Sequence, residues 1–175
     1  LATSVEAALQ TTRRSVNGPL RLAYAEIDLA YVGPPKRADY EAKLKSANQY
    51  EVQHARRFLD QLNNGETLPR KYPFPVQVVH FGGDLKLVAL AGETVVDYSL
   101  RLKKELTGPP LWVAGYCNDV MGYIPTARQL REGGYEPHSS IFFSEIHPGP
   151  WAPSLENRII TKARELDVQL RREAR

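Results

Sequence analysis

The sequence predicts an α/β fold in which helices cover a mixed β-sheet within a single domain. Stretches with helical spacing of apolar residues alternate along the chain with short apolar runs of strand length. Two of these runs, 76–81 and 85–90, flank Gly82-Gly83-Asp84, which is the pattern of a β-hairpin. A length of 175 residues suits one domain that buries its own core.

The first part of the chain contains one predicted strand between two predicted helices. Residues 1–15 are predicted as a short helix, and residues 20–31 alternate apolar and polar side chains like a half-buried strand. Gly33-Pro34-Pro35 interrupts the chain. Residues 36–63 are predicted as one long helix that Asn63-Asn64-Gly65 ends. Its apolar face comprises Tyr40, Leu44, Ala47, Ala55, Phe58, Leu59 and Leu62.

The second part of the chain completes the predicted sheet and its helical cover. Residues 94–106 have helical spacing, and Gly108-Pro109-Pro110 stops that helix. Residues 111–116 are predicted as another buried strand, and residues 117–150 as an irregular region. A last helix is predicted from Ser154 to the end of the sequence. The side chains expected to face inward from the two helices are Val95, Tyr98, Leu102, Leu106, Leu155, Ile159, Ala163, Leu166 and Leu170.

Composition and charge exclude several classes of protein. The longest apolar stretches are far below the ~18 residues of a membrane span. The single cysteine, Cys117, excludes an internal disulfide and a cysteine-rich zinc cluster. The net charge is +3 and the basic pairs are interleaved with acids, which favours a solvated surface over a nucleic-acid-binding face, kept only as a third hypothesis. Because the chain starts Leu1-Ala2-Thr3 without methionine, we expect a processed protein or an excised piece of a longer one.

The first candidate for chemistry is Glu93, which follows the predicted strand 85–90 where a helix begins. This places its carboxylate on the rim of the sheet, where ligands gather in open α/β folds. A structural interpretation stands beside the functional one, because acidic side chains stabilise helix N-termini by about 0.3–1 kcal/mol. The residues alone leave both interpretations open.

The second candidate is the loop that follows strand 111–116. It brings a thiol, an amide, a carboxylate and the phenol of Tyr123 within seven positions, and polar loops of this kind often bind ligands. Taken singly, each group has a structural explanation. Tyr123 can anchor the loop as a half-buried aromatic residue, and Asn118 can form an Asx turn.

The third candidate is Tyr135, which Gly133-Gly134 can present in a turn because glycine adopts positive φ. Glu136 and His138 are near it in sequence, but their spacing matches no compact metal motif. The other histidines are dispersed. His54 is predicted on the surface at the edge of a helix face, His80 ends a strand at a glycine turn, and His147 belongs to no motif. The sequence contains no Walker A loop, no dinucleotide fingerprint and no G-x-S-x-G nucleophile elbow.

Four segments, taken in order, resemble the catalytic region of the neutral/alkaline (non-lysosomal) ceramidase family. They are 87–93 (LVALAGE), 113–118 (VAGYCN), 122–126 (GYIPT) and 134–136 (GYE). The resemblance covers most of residues 74–145, with a looser similarity through the helical first third. Each motif is weak alone, and four in the same order are fairly specific.

The resemblance implies an activity and a set of site residues. Enzymes of this family use one zinc ion to hydrolyse the amide bond of ceramide. By resemblance, Glu93 and Tyr123 are zinc ligands, and Tyr135 is the active-site phenol that contacts the scissile group. The family's two zinc-binding histidines and its serine nucleophile belong to an upstream region that this sequence does not contain. The resemblance therefore implies the C-terminal part of a longer catalytic domain, which alone would be inactive and bind zinc weakly or not at all.

The expected substrate is an N-acyl amide, either ceramide or another N-acyl lipid or amide. Pro125 stands where ceramidases usually have threonine, and this variant looks more like bacterial members of the family. Relatives are often secreted or periplasmic, which gives the expected location of the parent protein. The alternative is a non-catalytic binding or assembly module that keeps the ceramidase-like fold. In that alternative Glu93 caps its helix, and Tyr123 and Tyr135 are packing residues.

Overall fold

The computed structural model describes residues 1–33 and 36–173, and strands and helices alternate along them. The strands are β1 (Leu20–Ala30), β2 (Lys71–Phe81), β3 (Leu85–Leu90), β4 (Glu93–Thr94), β5 (Leu111–Ala114) and β6 (Tyr123–Ile124). The helices are α1 (Ala2–Leu9), α2 (Arg37–Lys43), α3 (Gln49–Asn63), α4 (Val96–Glu105), α5 (Ala127–Glu132), a 3-10 helix (Ser139–Phe143) and α6 (Leu155–Arg172).

A four-stranded mixed sheet in the order β1-β2-β3-β5 forms the centre of the fold. Strands β1, β2 and β3 are antiparallel neighbours, and β5 runs parallel to β3. The hairpin predicted at Gly82-Gly83-Asp84 joins β2 to β3. Strands β4 and β6 form a separate two-stranded parallel sheet. The predicted α/β fold with a mixed sheet in a single domain is confirmed.

Strand β2 begins at Lys71, five residues before its predicted start. Pro73 and Pro75 lie in the added segment, and proline is found in sheets only at edges or bulges. Here the segment pairs with β1 alone, with Pro73 opposite Asp28 and Pro75 opposite Glu26, whereas pairing with β3 starts at Val76. The prolines are therefore tolerated where the strand has one neighbour.

The single helix predicted over 36–63 is wrong, because the chain folds there into α2 and α3. The side chain of Asn48 accepts a hydrogen bond from the Tyr50 N–H and starts a new helix, as N-caps do. Leu44 of the predicted apolar face is partly exposed at the break. Helix α1 covers only part of the predicted 1–15 and buries no residue. Of the predicted break at 33–35, Pro34 and Pro35 lie outside the described residues.

The main core lies between the sheet and α6, which packs against β1 and β2. Four of the inward-facing residues predicted for α6, among them Leu155 and Ile159, are fully buried, and Leu166 is nearly so. A second cluster joins α2 to α3 through Tyr40 and Phe58, whose rings stack at 5.7 Å. Among the described residues, no helix is both long and apolar enough to cross a bilayer.

Candidate functional site

The pairing of β4 with β6 places Glu93 directly beside Tyr123. The Glu93 N–H donates a hydrogen bond of 2.8 Å to the Gly122 carbonyl. Paired residues of neighbouring strands are ~4.8 Å apart, so the two side chains share one face of this small sheet. Glu93 lies two residues before Val95, the N-cap of α4, and Asp97 is the acidic residue of the first turn. The interpretation of Glu93 as a helix cap is therefore wrong.

Gly92 allows the two strands to approach this closely. Its φ is +66°, and a Cβ added there would lie 2.7 Å from the Gly122 carbonyl oxygen and 2.9 Å from the Met121 sulfur. Any other residue would have to displace backbone as well as adopt a left-handed conformation. The glycine before Glu93 is thus required by the geometry that brings the carboxylate to Tyr123.

The loop after β5 holds two residues in unusual backbone conformations. Tyr116 has a φ of 57° and Asn118 a φ of 67°. For a bulky residue such as tyrosine a positive φ is an outlier, and such strain concentrates at functional sites. Hydrogen bonds hold the loop against the start of β4, from the Tyr116 N–H to the Gly92 carbonyl and from the Cys117 N–H to the Leu90 carbonyl.

Two phenols surround the Glu93 carboxylate. The interaction with the Glu93 side chain is the main cause that raises the pKa of Tyr116 to about 12. Partial burial raises the pKa of Tyr123, and the charge of Glu93 adds to this effect. Both hydroxyls therefore keep their protons at neutral pH. Sequence reasoning did not single out Tyr116, because its strained backbone and its proximity to Glu93 exist only in the folded chain.

Tyr135 completes the group of predicted site residues. Gly133 and Gly134 both adopt positive φ between α5 and the 3-10 helix, as the sequence suggested. The Tyr135 ring meets the Tyr123 ring edge-on at 5.7 Å and remains half exposed. The structure therefore brings Glu93, Tyr123 and Tyr135 together, although they are far apart in sequence.

A cavity of about 210 Å³ opens beside these tyrosines. Apolar and aromatic side chains form most of its wall, with a smaller number of polar groups, a composition typical of small-molecule sites. Its lining residues include Tyr123, Tyr135, Ile141, Phe143, His147 and Trp151.

His147 in this cavity wall is fixed by hydrogen bonds at both ring nitrogens. Nε2 lies 2.9 Å from the Met121 carbonyl oxygen, which only accepts, so Nε2 carries the proton. Nδ1 then accepts from the Tyr31 hydroxyl at 2.6 Å. Burial lowers the pKa of His147 to about 4, which keeps the ring neutral. His147 is thus a structural residue whose nitrogens are already occupied.

The remaining histidines also have structural partners. The prediction of a surface position for His54 is wrong, because its side chain is 1% exposed and contacts the His147 carbonyl through Nε2. His80 Nε2 is 2.9 Å from Asp167, and His138 Nε2 is 3.0 Å from the Leu130 carbonyl oxygen. His54 is buried because its ring packs against Phe58 and Phe142, the second of which lies in the 3-10 helix.

The residues at hand do not form a zinc site by themselves. Zinc in proteins takes three or four protein ligands, usually including His or Cys. Within residues 1–33 and 36–173, no group of three or more His, Cys, Asp or Glu side chains is placed to hold a metal ion. Glu93 and Tyr123 supply two oxygen atoms, and the phenol of Tyr123 is protonated at neutral pH.

Comparison with known proteins identifies the fold. No protein-family model matches the chain, and no curated protein matches its sequence. A solved structure of a ceramidase complexed with C2 is similar over 98% of this chain, with a TM-score of 0.55 and 14% sequence identity. The fold is ceramidase-like. The chain spans 33% of the length of that ceramidase, and at this identity the similarity concerns the fold alone.

Proposed function

We propose that this chain is the C-terminal part of the catalytic domain of a ceramidase-like zinc amidohydrolase. One observation carries the proposal: the β4–β6 pair brings Glu93, Tyr123 and Tyr135 together beside an aromatic cavity. These three residues are the ones that the sequence resemblance assigns to the active site. The ceramidase-like fold over 98% of the chain supports the same assignment.

In this proposal the three side chains have different roles. Glu93 would contribute an anionic oxygen and Tyr123 a phenolic oxygen to a metal centre, and the remaining ligands and the nucleophile would come from a region that precedes this chain. The half-exposed hydroxyl of Tyr135 donates a hydrogen bond to the oxygen of the scissile amide. Loss of such a donor commonly lowers the rate about 10²–10³-fold.

The proposed substrate is an N-acyl lipid or another N-acyl amide. The mostly apolar cavity beside Tyr123 and Tyr135 suits an acyl chain better than a charged group. A secreted or periplasmic parent protein acting in lipid metabolism would meet such substrates. This location is part of the proposal.

Calorimetric zinc titration tests the proposal on two proteins, the 175-residue chain and the full-length protein from the same reading frame. We expect weak or no binding by the chain and stoichiometric binding by the full-length protein. Glu93→Ala should lower the affinity of the full-length protein more than about 10-fold, since even outer-shell changes cost 10–100-fold. Glu145→Ala, at a well-exposed position, is the control. Tight binding by the chain that survives Glu93→Ala would overturn the proposal.

Hydrolysis of a fluorogenic N-acyl amide by the full-length protein tests the chemistry. Tyr135→Phe should lower kcat about 10²–10³-fold and leave zinc affinity unchanged. An unchanged kcat would remove Tyr135 from the reaction.

A second candidate is a non-catalytic binding or assembly module with the same fold. It is favoured by the set of side chains present, since no group of three or more His, Cys, Asp or Glu side chains among the described residues is placed to hold a metal ion. A full-length protein that neither binds zinc nor cleaves N-acyl amides would establish this alternative.

A further inference from the structure

One face of the four-stranded sheet carries large apolar side chains that are open to solvent. Helix α6 packs against the opposite face. Strand register aligns Leu22, Val79, Leu87 and Trp112 in one row across all four strands. The outer members of this row, Leu22 and Trp112, are 57% and 64% exposed. We call this row the open face, together with the neighbouring row of Leu20, Phe81 and Leu85.

The open face differs from an ordinary solvent-facing side of a sheet. An antiparallel sheet that faces water normally presents polar residues there, and sheets with parallel pairs are usually covered on both faces. Here β3 and β5 are parallel, and the two rows of the open face hold leucine, valine, phenylalanine and tryptophan. A contiguous apolar patch of a few hundred Å² is often functional.

The size of the open face indicates what covers it. Four strands ~4.8 Å apart and about six residues long span an area of roughly 20 by 20 Å, or about 400 Å². Each partner in a standard protein–protein interface contributes ~800 Å², so this face is small for a stable dimer of two separate chains. An area of this size suits a second β-sheet of the same polypeptide, because the covalent connection would hold that sheet against the open face.

The loop that follows β5 connects the open face to the Glu93–Tyr123 pair. Tyr116, whose N–H donates to the carbonyl of Gly92 next to Glu93, follows Trp112 by four residues on the segment that leaves β5. Asn118 of the same loop donates to the side chain of Gln77, which shares the outward side of β2 with Val79. A layer seated on the open face would therefore end next to Glu93, where ligands are missing.

We propose that the open face binds a second, apolar β-layer from another region of the same protein, and that loops of this layer complete the Glu93–Tyr123 site. The proposal rests on the proposed function, since it concerns the region that supplies the missing ligands. A second copy of this chain is the competing occupant.

Oxidative footprinting read by mass spectrometry tests this docking in the 175-residue chain and in the full-length protein. We expect Trp112 to be oxidised several-fold more slowly in the full-length protein. Trp151, which is 4% exposed, is the internal control and should be protected in both. Equal oxidation of Trp112 in the two proteins would overturn the proposal. Protection in the isolated chain that grows with its concentration would overturn it in favour of a second copy, and a reading frame without further sequence would also overturn it.

Placing a charged residue on the open face and measuring Tm gives a second test of the docking. Leu22→Asp should lower the Tm of the full-length protein and leave that of the 175-residue chain unchanged, whereas the control Leu100→Asp, 63% exposed on α4, should change neither. An unchanged Tm of full-length Leu22→Asp would overturn the docking. If Trp112 is protected in the full-length protein but that protein binds no zinc, the docking stands and the zinc site is refuted. If the full-length protein binds zinc while Trp112 stays exposed, the zinc site stands and the docking is refuted.

Discussion

The two ends of strand β3 place ionisable groups in opposite situations. At the beginning of β3, Lys86 is buried, and its partner Asp167 is 1% exposed. Just beyond the other end, Glu93 is half-buried beside the phenols of Tyr116 and Tyr123. The chain buries a charge fully where it supplies opposite charges for it. Glu93 lies beside neutral phenols and stays within reach of solvent.

The network at the beginning of β3 satisfies its carboxylate from three directions. Asp167 lies 2.9 Å from His80 Nε2, 3.2 Å from Lys86 Nζ and 2.5 Å from Arg171. Burial would raise the pKa of Asp167, but the hydrogen bond from His80 and the charge of Lys86 outweigh it and hold the pKa below its usual value. Lys86 also donates to the Thr107 carbonyl.

The largest expected effect comes from removing this carboxylate. Asp167→Ala leaves the buried Lys86 without its counter-charge, and breaking a buried pair in this way costs about 3–5 kcal/mol. We expect the free energy of unfolding of the 175-residue chain to fall by that amount in urea. Glu93→Ala, just beyond the other end of β3, should change the free energy of unfolding by less than about 0.5 kcal/mol, as for an ordinary surface position.

A neighbour of Asp167 on α6 provides the control. Glu165 is exposed and pairs with Lys162 across the helix surface, so Glu165→Ala should lose at most about 1 kcal/mol. Equal losses in Asp167→Ala and Glu165→Ala would show that the buried network does not stabilise the fold, and the contrast between the two ends would disappear.

A smaller effect is expected from acid, through His147. Its pKa is about 4 in the folded chain because of burial, against 6.5 for the free side chain. The unfolded chain therefore takes up a proton first as the pH falls. The stabilisation is complete above pH 6.5 and decreases toward pH 4, with a total loss of roughly 3 kcal/mol.

Urea unfolding at pH 7.5 and pH 4.5 measures this loss. The difference between the two pH values should be smaller in His147→Gln than in the unaltered chain. The control His138→Gln, at an exposed position, should keep the full difference. If His147→Gln also showed the full stability difference between the two pH values, His147 would not be the group that titrates. The cavity wall would then be less rigid than its hydrogen bonds indicate.

Much of the fold could be predicted because its signals are local. The alternation in 20–31, the glycine turn after β2 and the inward stripe of α6 each follow from neighbouring residues. The break between α2 and α3 could not be predicted from the apolar pattern, since it depends on the capping of α3 by Asn48. The exposure of Leu22 could not be predicted either, because the sequence pattern of a strand does not reveal whether a second layer covers that strand.

The candidate site was predictable only through resemblance. Glu93, Tyr123 and Tyr135 were named from short motifs, and their proximity depends on β4–β6 pairing and on Gly92, which no local pattern reports. Whether they act as ligands and catalytic phenol remains a prediction. The role of His147 could not be inferred, because its partner Tyr31 is 116 residues away in sequence.

The smallest expected effect concerns the strain at Tyr116, and two substitutions separate it from the loss of the ring. Tyr116→Ala removes the phenol and keeps a Cβ at a φ of 57°, whereas Tyr116→Gly removes both. A left-handed conformation costs a non-glycine residue about 1–2 kcal/mol, partly offset by the greater flexibility of glycine in the unfolded chain. In urea unfolding we therefore expect Tyr116→Gly to be more stable than Tyr116→Ala by about 1 kcal/mol. Equal stabilities would mean that the loop stores no strain, and the end of β3 next to Glu93 would then be as relaxed as the end that holds Lys86.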